Sequence, residues 1–343
     1  MAQFTIYRST DVGAPVLNGT LGSLITVLDA VLVNGYGSKT AAGWTKPYSS
    51  SNNLSASYKQ GSGSSGMYLW VMDGPGGAYP SGSVVLKGFL SMSSANGISG
   101  SVGSTNPFPS QGQSGVAFGG VGYLKSEPLG SSITISWIAA VDSKTLYFFS
   151  IPLTAAVTTF YNGFMFGDIV SYCTGSDPYK CALIAQDNER YITTAADCYR
   201  FPKLQAFAST ITAHYIGGNY LGVAGSYAFG KMIDSVKGGV VTNDAITGII
   251  GNGVLPLPNS ADGKLYLSPI NILEYNGTNY ITRGRLRGAW SALHPYGNLS
   301  QDGIINNIGP SNMSILVIRL YYVISAVGGA FGTICIETSN TLD

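Results

Sequence analysis

Residues 133–151 read ITISWIAAVDSKTLYFFSI. Two runs rich in β-branched and aromatic residues flank Asp142-Ser143-Lys144, a turn-forming triplet, so the stretch reads as a β-hairpin. On its C-terminal side, NGFMFGDIVSYC at 162–173 extends the same sheet. On its N-terminal side, MYLWVMD (67–73) and VVLKGFLSM (84–92) read as an antiparallel pair, with Tyr68, Trp70 and Met72 on one face. Between them GPGGAYPSG (74–82) suits only a turn or an exposed loop. Residues 49–66 are Ser/Gly/Asn-rich, a surface loop or weak strand pair, and 93–115 are aperiodic with Pro107 and Pro109, the candidate for a mobile loop reaching a neighbour.

Further out, QFTIYR (3–8) is a first strand, and Gly-rich strands are expected at 213–230 and 240–255. A loop then carries Pro256, Pro258 and Asp262-Gly263, and a hairpin at 270–282 turns on Asn276-Gly277. Finally SILVIRLYYVIS and GTICIET pair across AVGGAFG. Strands recurring every 8 to 14 residues predict a mainly β protein of antiparallel sandwich or barrel-like sheets. A texture change near TGSDP (174–178) places a soft boundary between residues 1–174 and 175–343, two β-rich domains or one continuous fold.

One amphipathic helix is predicted at about 20–34. Leu21, Leu24, Ile25, Leu28 and Leu32 form an apolar stripe at helical period, Thr20 is the expected cap, and Asn34-Gly35 the stop. The polar remainder, with Asp29, implies a helix docked on a sheet by one face.

Charged residues make up 10 % of the chain, 18 basic against 17 acidic. No electrostatic footprint for nucleic acid or an anionic membrane follows from that balance, so neither is an expected partner. It also leaves little self-repulsion, so surface buried against copies of the chain or a partner is expected. MAQFTIYRSTD does not read as a secretory signal, and the apolar run 315–326 is broken by Arg319 and too short for a bilayer. Cys173, Cys181, Cys198 and Cys335 contain no CxxC pair and are expected as free thiols.

Chemical motifs are sparse. His214 and His294 are the only histidines, and no GxSxG accompanies them, which argues against a hydrolase; the bland reading places His214 on a strand. The cysteines lack zinc-finger or ribbon spacing, and Gly35-Tyr36-Gly37-Ser38-Lys39-Thr40 follows a helix rather than opening one, so it is a turn and not a phosphate loop. No cofactor or metal is expected. Trp44, Tyr48, Tyr58, Tyr68, Trp70 and Tyr79 supply aromatic rings that could stack on sugars, against a structural role in core or interface. Arg283, Arg285 and Arg287 alternate along one strand, where they would meet acidic groups of a partner subunit or guard an edge. Trp44, Tyr48, Tyr79, Arg283, Arg285 and Arg287 are therefore the candidate partner or glycan contacts.

Three stretches resemble a family of tailed-bacteriophage virion proteins: FTIYRSTDVGAPVLNGTLGSLITVLDAVLVNGYGSKTAAGWTKPYS (4–49), GFMFGDIVSY (163–172), and GRLRGAWSALH (284–294) with ETSNT (337–341). They are spread in order over the chain and cover about a quarter of it; Leu342-Asp343 stand where the family pattern carries a tryptophan. The family defines no catalytic or binding residues, so none is carried over. The resemblance implies a non-enzymatic particle component, made in the host cytoplasm and built into the virion with other virion proteins and copies of itself. A tail, neck or baseplate accessory position is expected first, a capsid-surface decoration second. A module binding a host glycan or receptor is the competing class, and a depolymerase, which would need two close carboxylates, comes third.

Overall fold

The computed structural model describes residues 4–74, 83–95, 104–109, 120–126, 131–151, 162–185, 214–234, 264–275, 278–292, 299–308, 312–324 and 328–339. The first half contributes β1 (Thr5–Arg8), helix α1 (Ser23–Leu28), β2 (Thr45–Ser49), β3 (Ser55–Lys59), β4 (Tyr68–Asp73), β5 (Ser83–Ser91), β6 (Thr105–Phe108), β7 (Val121–Leu124), β8 (Trp137–Val141), β9 (Thr145–Ser150), β10 (Asn162–Asp168) and β11 (Val170–Ser171). The second contributes β12 (Cys181–Ala185), β13 (His214–Gly218), β14 (Ala224–Asp234), β15 (Leu267–Tyr275), β16 (Tyr280–Ala292), β17 (Ile304–Ile308), β18 (Met313–Ile324) and β19 (Gly328–Ser339).

The β8–β9 hairpin forms as expected, with Val141 opposite Leu146. Its turn is held by Asp142, whose Oδ1 accepts the Lys144 and Thr145 amides at 2.9 Å each. The hairpin sits inside a thirteen-stranded antiparallel sheet ordered β1-β8-β9-β10-β12-β13-β14-β15-β16-β19-β18-β17, with β11 added on β16. The remaining strands form a six-stranded sheet, β2-β3-β4-β5-β6, in which β7 also pairs with β5. The β4–β5, β15–β16 and β18–β19 pairings match the sequence reading. Within 93–115, residues 105–108 are a strand rather than loop, paired to the second half of β5. The expected strand at 240–255, the loop at 256–263 and the Asn276-Gly277 turn lie outside the described residues. Across residue 175 the large sheet is continuous, since β10 pairs with β12 from Phe164–Ala185 to Asp168–Cys181.

The middle strands are wet on neither face. Trp137, Ala139, Leu146, Phe148, Phe164, Phe166 and Leu183 point into a core shared with α1 and the six-stranded sheet. The alternate residues Ile138, Ala140, Tyr147, Phe149, Met165, Ala182 and Ile184 pack against Ile270, Ile272, Leu286, Leu316, Ile318, Ile334 and Ile336. The large sheet therefore folds its far half over its own near half, giving three layers with β8, β9, β10 and β12 in the centre. Period-2 alternation remains, but both phases are apolar because both faces are covered. Trp70, Val85 and Phe89 line the outer face of the six-stranded sheet, and Ile315, Val317 and Cys335 that of the far layer.

The helix is shorter than expected. It starts at Ser23 and, after Leu28, widens into a π-helical turn, Asp29–Asn34. Leu24, Ile25, Leu28 and Leu32 are buried, but Leu21 is exposed ahead of the helix. Thr20 does not cap it: the Thr20 hydroxyl bonds Asn18 Oδ1 at 2.5 Å. The cap comes from β4 instead, where Asp73 Oδ2 accepts the Leu24 amide at 2.8 Å. The Val31 and Leu32 carbonyls, among those a helix end leaves without an internal partner, accept the Ala42 and Trp44 amides at 3.0 Å. Gly35 ends it with φ +76°.

Candidate functional site

The arginine row on β16 is where the sequence placed partner contacts, and the structure turns two of its three members inward. Arg283 is buried. Its guanidinium meets Asp177 at 2.7 and 2.8 Å and lies 3.2 Å from Glu274 Oε2, without hydrogen-bonding geometry to that oxygen. It also donates to Ser171 Oγ at 3.4 Å and to Cys173 Sγ. Two acids share one cation here, and Glu274 is further held by the Tyr220 amide at 3.2 Å. Burial pushes the Glu274 carboxyl above its usual range, against the pull of the Tyr220 amide and Arg283.

Arg287 is likewise buried, bonding Asp142 Oδ2 at 2.5 Å, with its guanidinium 5.4 Å above the Phe4 ring. Arg285, half-buried, lies 5.8 Å over the Trp290 ring. The expectation that this row faces a partner subunit or guards an edge is thus corrected for Arg283 and Arg287. Their acids come from residues 142, 177 and 274 of the same chain, and β16 is an interior strand between β15 and β19.

The aromatics are redistributed in the same way. Trp44 is 2 % exposed, packs edge-on against Phe166 and donates Nε1 to the Asp142 carbonyl at 2.7 Å, so it is closed to a glycan. Tyr58 and Trp70 are buried too. Tyr48 and Tyr68 are half-buried against the outer face of the six-stranded sheet. Tyr79 lies outside the described residues. Among the described residues, these positions do not form a solvent-facing aromatic groove.

Two further polar nodes join the layers. Asp168, at the end of β10, accepts Gln60 Nε2 at 3.0 Å, Ser65 Oγ at 2.6 Å and the Ser65 amide at 3.0 Å, tying the large sheet to the segment between β3 and β4. Asp73 pairs with Lys125, both without solvent exposure. Neither pairing has a local sequence signature, because the partners lie 103 or 108 and 52 positions apart.

Among the described residues no group of three His, Cys, Asp or Glu side chains could hold a metal, and no helix is long and apolar enough to cross a membrane. His214 lies on β13 as read, and His294 falls outside the described residues. Cys173, Cys181 and Cys335 are free thiols, and Cys198 is outside the described residues. Asp177 and Glu274 both lie against the Arg283 guanidinium, with their side chains 5 % and 2 % exposed.

Several large apolar side chains are exposed among the described residues. Val12 (89 %), Val16, Leu21 and Ile133 are exposed, the last three on segments joined by the Leu17–Ile135 bridge. Leu221 (70 %), Val223 and Tyr172 form a second exposed set; the Tyr220 carbonyl beside Leu221 receives Cys173 Sγ at 3.7 Å. An open depression of about 260 Å³ is lined by Asn18, Thr20, Leu21, Thr26, Asn52 and Asn53, among others.

No family model matches the chain, and no curated protein matches it. The fold and its polar nodes define a class: a layered antiparallel β protein whose buried charges serve as inter-strand and inter-layer ties, with exposed apolar side chains on its loops.

Proposed function

We propose that this chain is a non-enzymatic structural component of a tailed-phage virion, a tail, neck or baseplate accessory protein that assembles through contacts with its own copies and other virion proteins. One observation carries the reading. The three stretches that resemble virion proteins, far apart in sequence, touch one another. Trp44 from the first packs on Phe166 of the second at 6.0 Å between ring centroids. Phe4 from the first packs beneath Arg287 and against Gly288 of the third. Val170 of the second pairs with Arg285 of the third. The resemblance thus concentrates on joints that hold the layers together, as expected where a framework is shared and surface chemistry varies.

The exposed set Val16, Leu21 and Ile133 and the set Leu221, Val223 and Tyr172 support assembly through apolar contact rather than sugar stacking. Light scattering of the purified chain across a range of concentration tests this. A discrete trimer, pentamer or hexamer, visible as a ring or spike by negative-stain microscopy, is the expected outcome. A monomer at every concentration would overturn self-assembly and favour a module added to a preassembled scaffold.

A further inference from the structure

We propose that Lys125 and Asp73 condense into an intramolecular side-chain amide, so that the mature chain carries a covalent tie between the end of β4 and the residue following β7. The observation is an isolated, fully enclosed acid–amine pair. Both side chains have no solvent exposure, and Lys125 Nζ donates directly to Asp73 Oδ1. The remaining donor directions of Nζ are taken by the Thr20 carbonyl at 2.6 Å and Ser23 Oγ at 3.1 Å. Asp73 Oδ2 accepts the Leu24 amide at the start of α1 at 2.8 Å. Among the described residues, no second cation or carboxylate is bonded to either partner.

An ion pair enclosed this way carries the desolvation penalty of two charges, and proton transfer within the pair removes it. Burial acts on both partners in that direction, pushing the Asp73 carboxyl up and the Lys125 amine down, while their mutual attraction opposes it. The neutral forms, a free amine and a carboxylic acid held in contact, are the reactants of amide formation. Enclosure supplies the proximity that dilute solution lacks.

The step balances with nothing added. One ammonium proton passes to Asp73 Oδ1, and the Nζ lone pair attacks Asp73 Cγ. The negative charge develops on Oδ2, where the Leu24 N–H already donates, as an oxyanion-stabilising group must. A second proton moves from Nζ to Oδ1, the Cγ–Oδ1 bond breaks, and water leaves. The amide retains one N–H, for which the Thr20 carbonyl and Ser23 Oγ are acceptors in place, and its carbonyl oxygen keeps the Leu24 amide. The product thus uses hydrogen bonds that the pair already makes. Because Asp73 pairs with Val84 of β5 and Leu124 with Ser83, the new bond bridges across β5 and fixes the start of α1 to the sheet.

The test is the intact mass of the denatured, full-length recombinant protein, followed by tryptic mapping. The expected result is a chain lighter by one water, with no cleavage after Lys125 and with peptide 60–87 joined to peptide 88–144. Lys125→Arg should restore the full mass. A full-mass wild-type chain with cleavage after Lys125 would overturn the proposal and leave an ordinary buried ion pair. A water loss with Lys125 still cleavable would overturn it as well, since Asp73-Gly74 can lose water by closing a succinimide on the Gly74 nitrogen.

Discussion

Arg287 and Asp142 stand 145 positions apart in the chain and meet in a buried ion pair, Nη1 to Oδ2 at 2.5 Å. The same Asp142 closes the β8–β9 turn through Oδ1 and receives the Trp44 indole on its carbonyl. One aspartate therefore joins the exit of the helix, the central hairpin and the far layer.

Removing the cation leaves that carboxylate buried and uncompensated. Arg287→Ala should cost about 3–5 kcal/mol in urea-induced unfolding, the usual penalty for breaking a buried pair from one side. Arg285 is half-buried where Arg287 is buried, and its guanidinium lies 5.8 Å over the Trp290 ring, so Arg285→Ala should cost less than Arg287→Ala. Equal effects would show that Arg287 is not the tie described.

Gly284 occupies a position where a Cβ would fall 2.2 Å from the Val170 carbonyl oxygen. Gly284→Ala should push β11 off β16 and destabilise the protein by about 1–3 kcal/mol. Faster amide hydrogen exchange at Tyr172, whose N–H bonds the Arg283 carbonyl, would report the detachment locally. Unchanged protection there would contradict it.

For Glu274, burial raises the carboxyl pKa, so the folded state binds this proton more tightly than the unfolded chain. Linkage then makes the group's contribution greatest below the unfolded value of about 4.3 and has it lost as pH rises through the raised folded value. Wild type should therefore lose stability relative to Glu274→Gln as pH is raised across that window. Paired urea titrations read the difference, and a gain with rising pH would contradict the assignment.

Thiol accessibility should follow burial. Burial pushes the Cys335 thiol up to about 12 and raises Cys181 as well, the latter aided by Asp168. At about pH 8, iodoacetamide should modify half-exposed Cys173 in the native protein and reach Cys181 and Cys335 only after denaturation. Peptide mass mapping would settle it.

Strand pairing was legible where turns are short. Asp142-Ser143-Lys144 sits between strong β-formers, and its geometry is local. The helix was legible by its stripe, but its start was not, because the cap is Asp73, 49 positions away, and the Thr20 hydroxyl bonds Asn18 instead. The arginine row shows the same limit. Alternation placed Arg283, Arg285 and Arg287 along one strand, but the acids that bury two of them come from Asp142, Asp177 and Glu274. Trp44 looked like a surface ring among glycines, yet its fate was decided by Phe166 and Asp142. What periodicity cannot register is a second cover over the same strands, and that cover turned expected surface positions into interior ones.

That second cover has a consequence for synthesis. The face of the central strands bearing Ile138, Ala140, Tyr147, Phe149 and Met165 is closed mainly by Ile270, Leu286, Leu316 and Ile336, which follow it by more than a hundred residues. At about 5–20 residues per second the ribosome needs on the order of ten seconds to deliver them. During that interval the nascent chain presents a broad oily plane to its surroundings. Premature termination downstream of residue 185 should accordingly yield insoluble or chaperone-held fragments rather than a soluble N-terminal half.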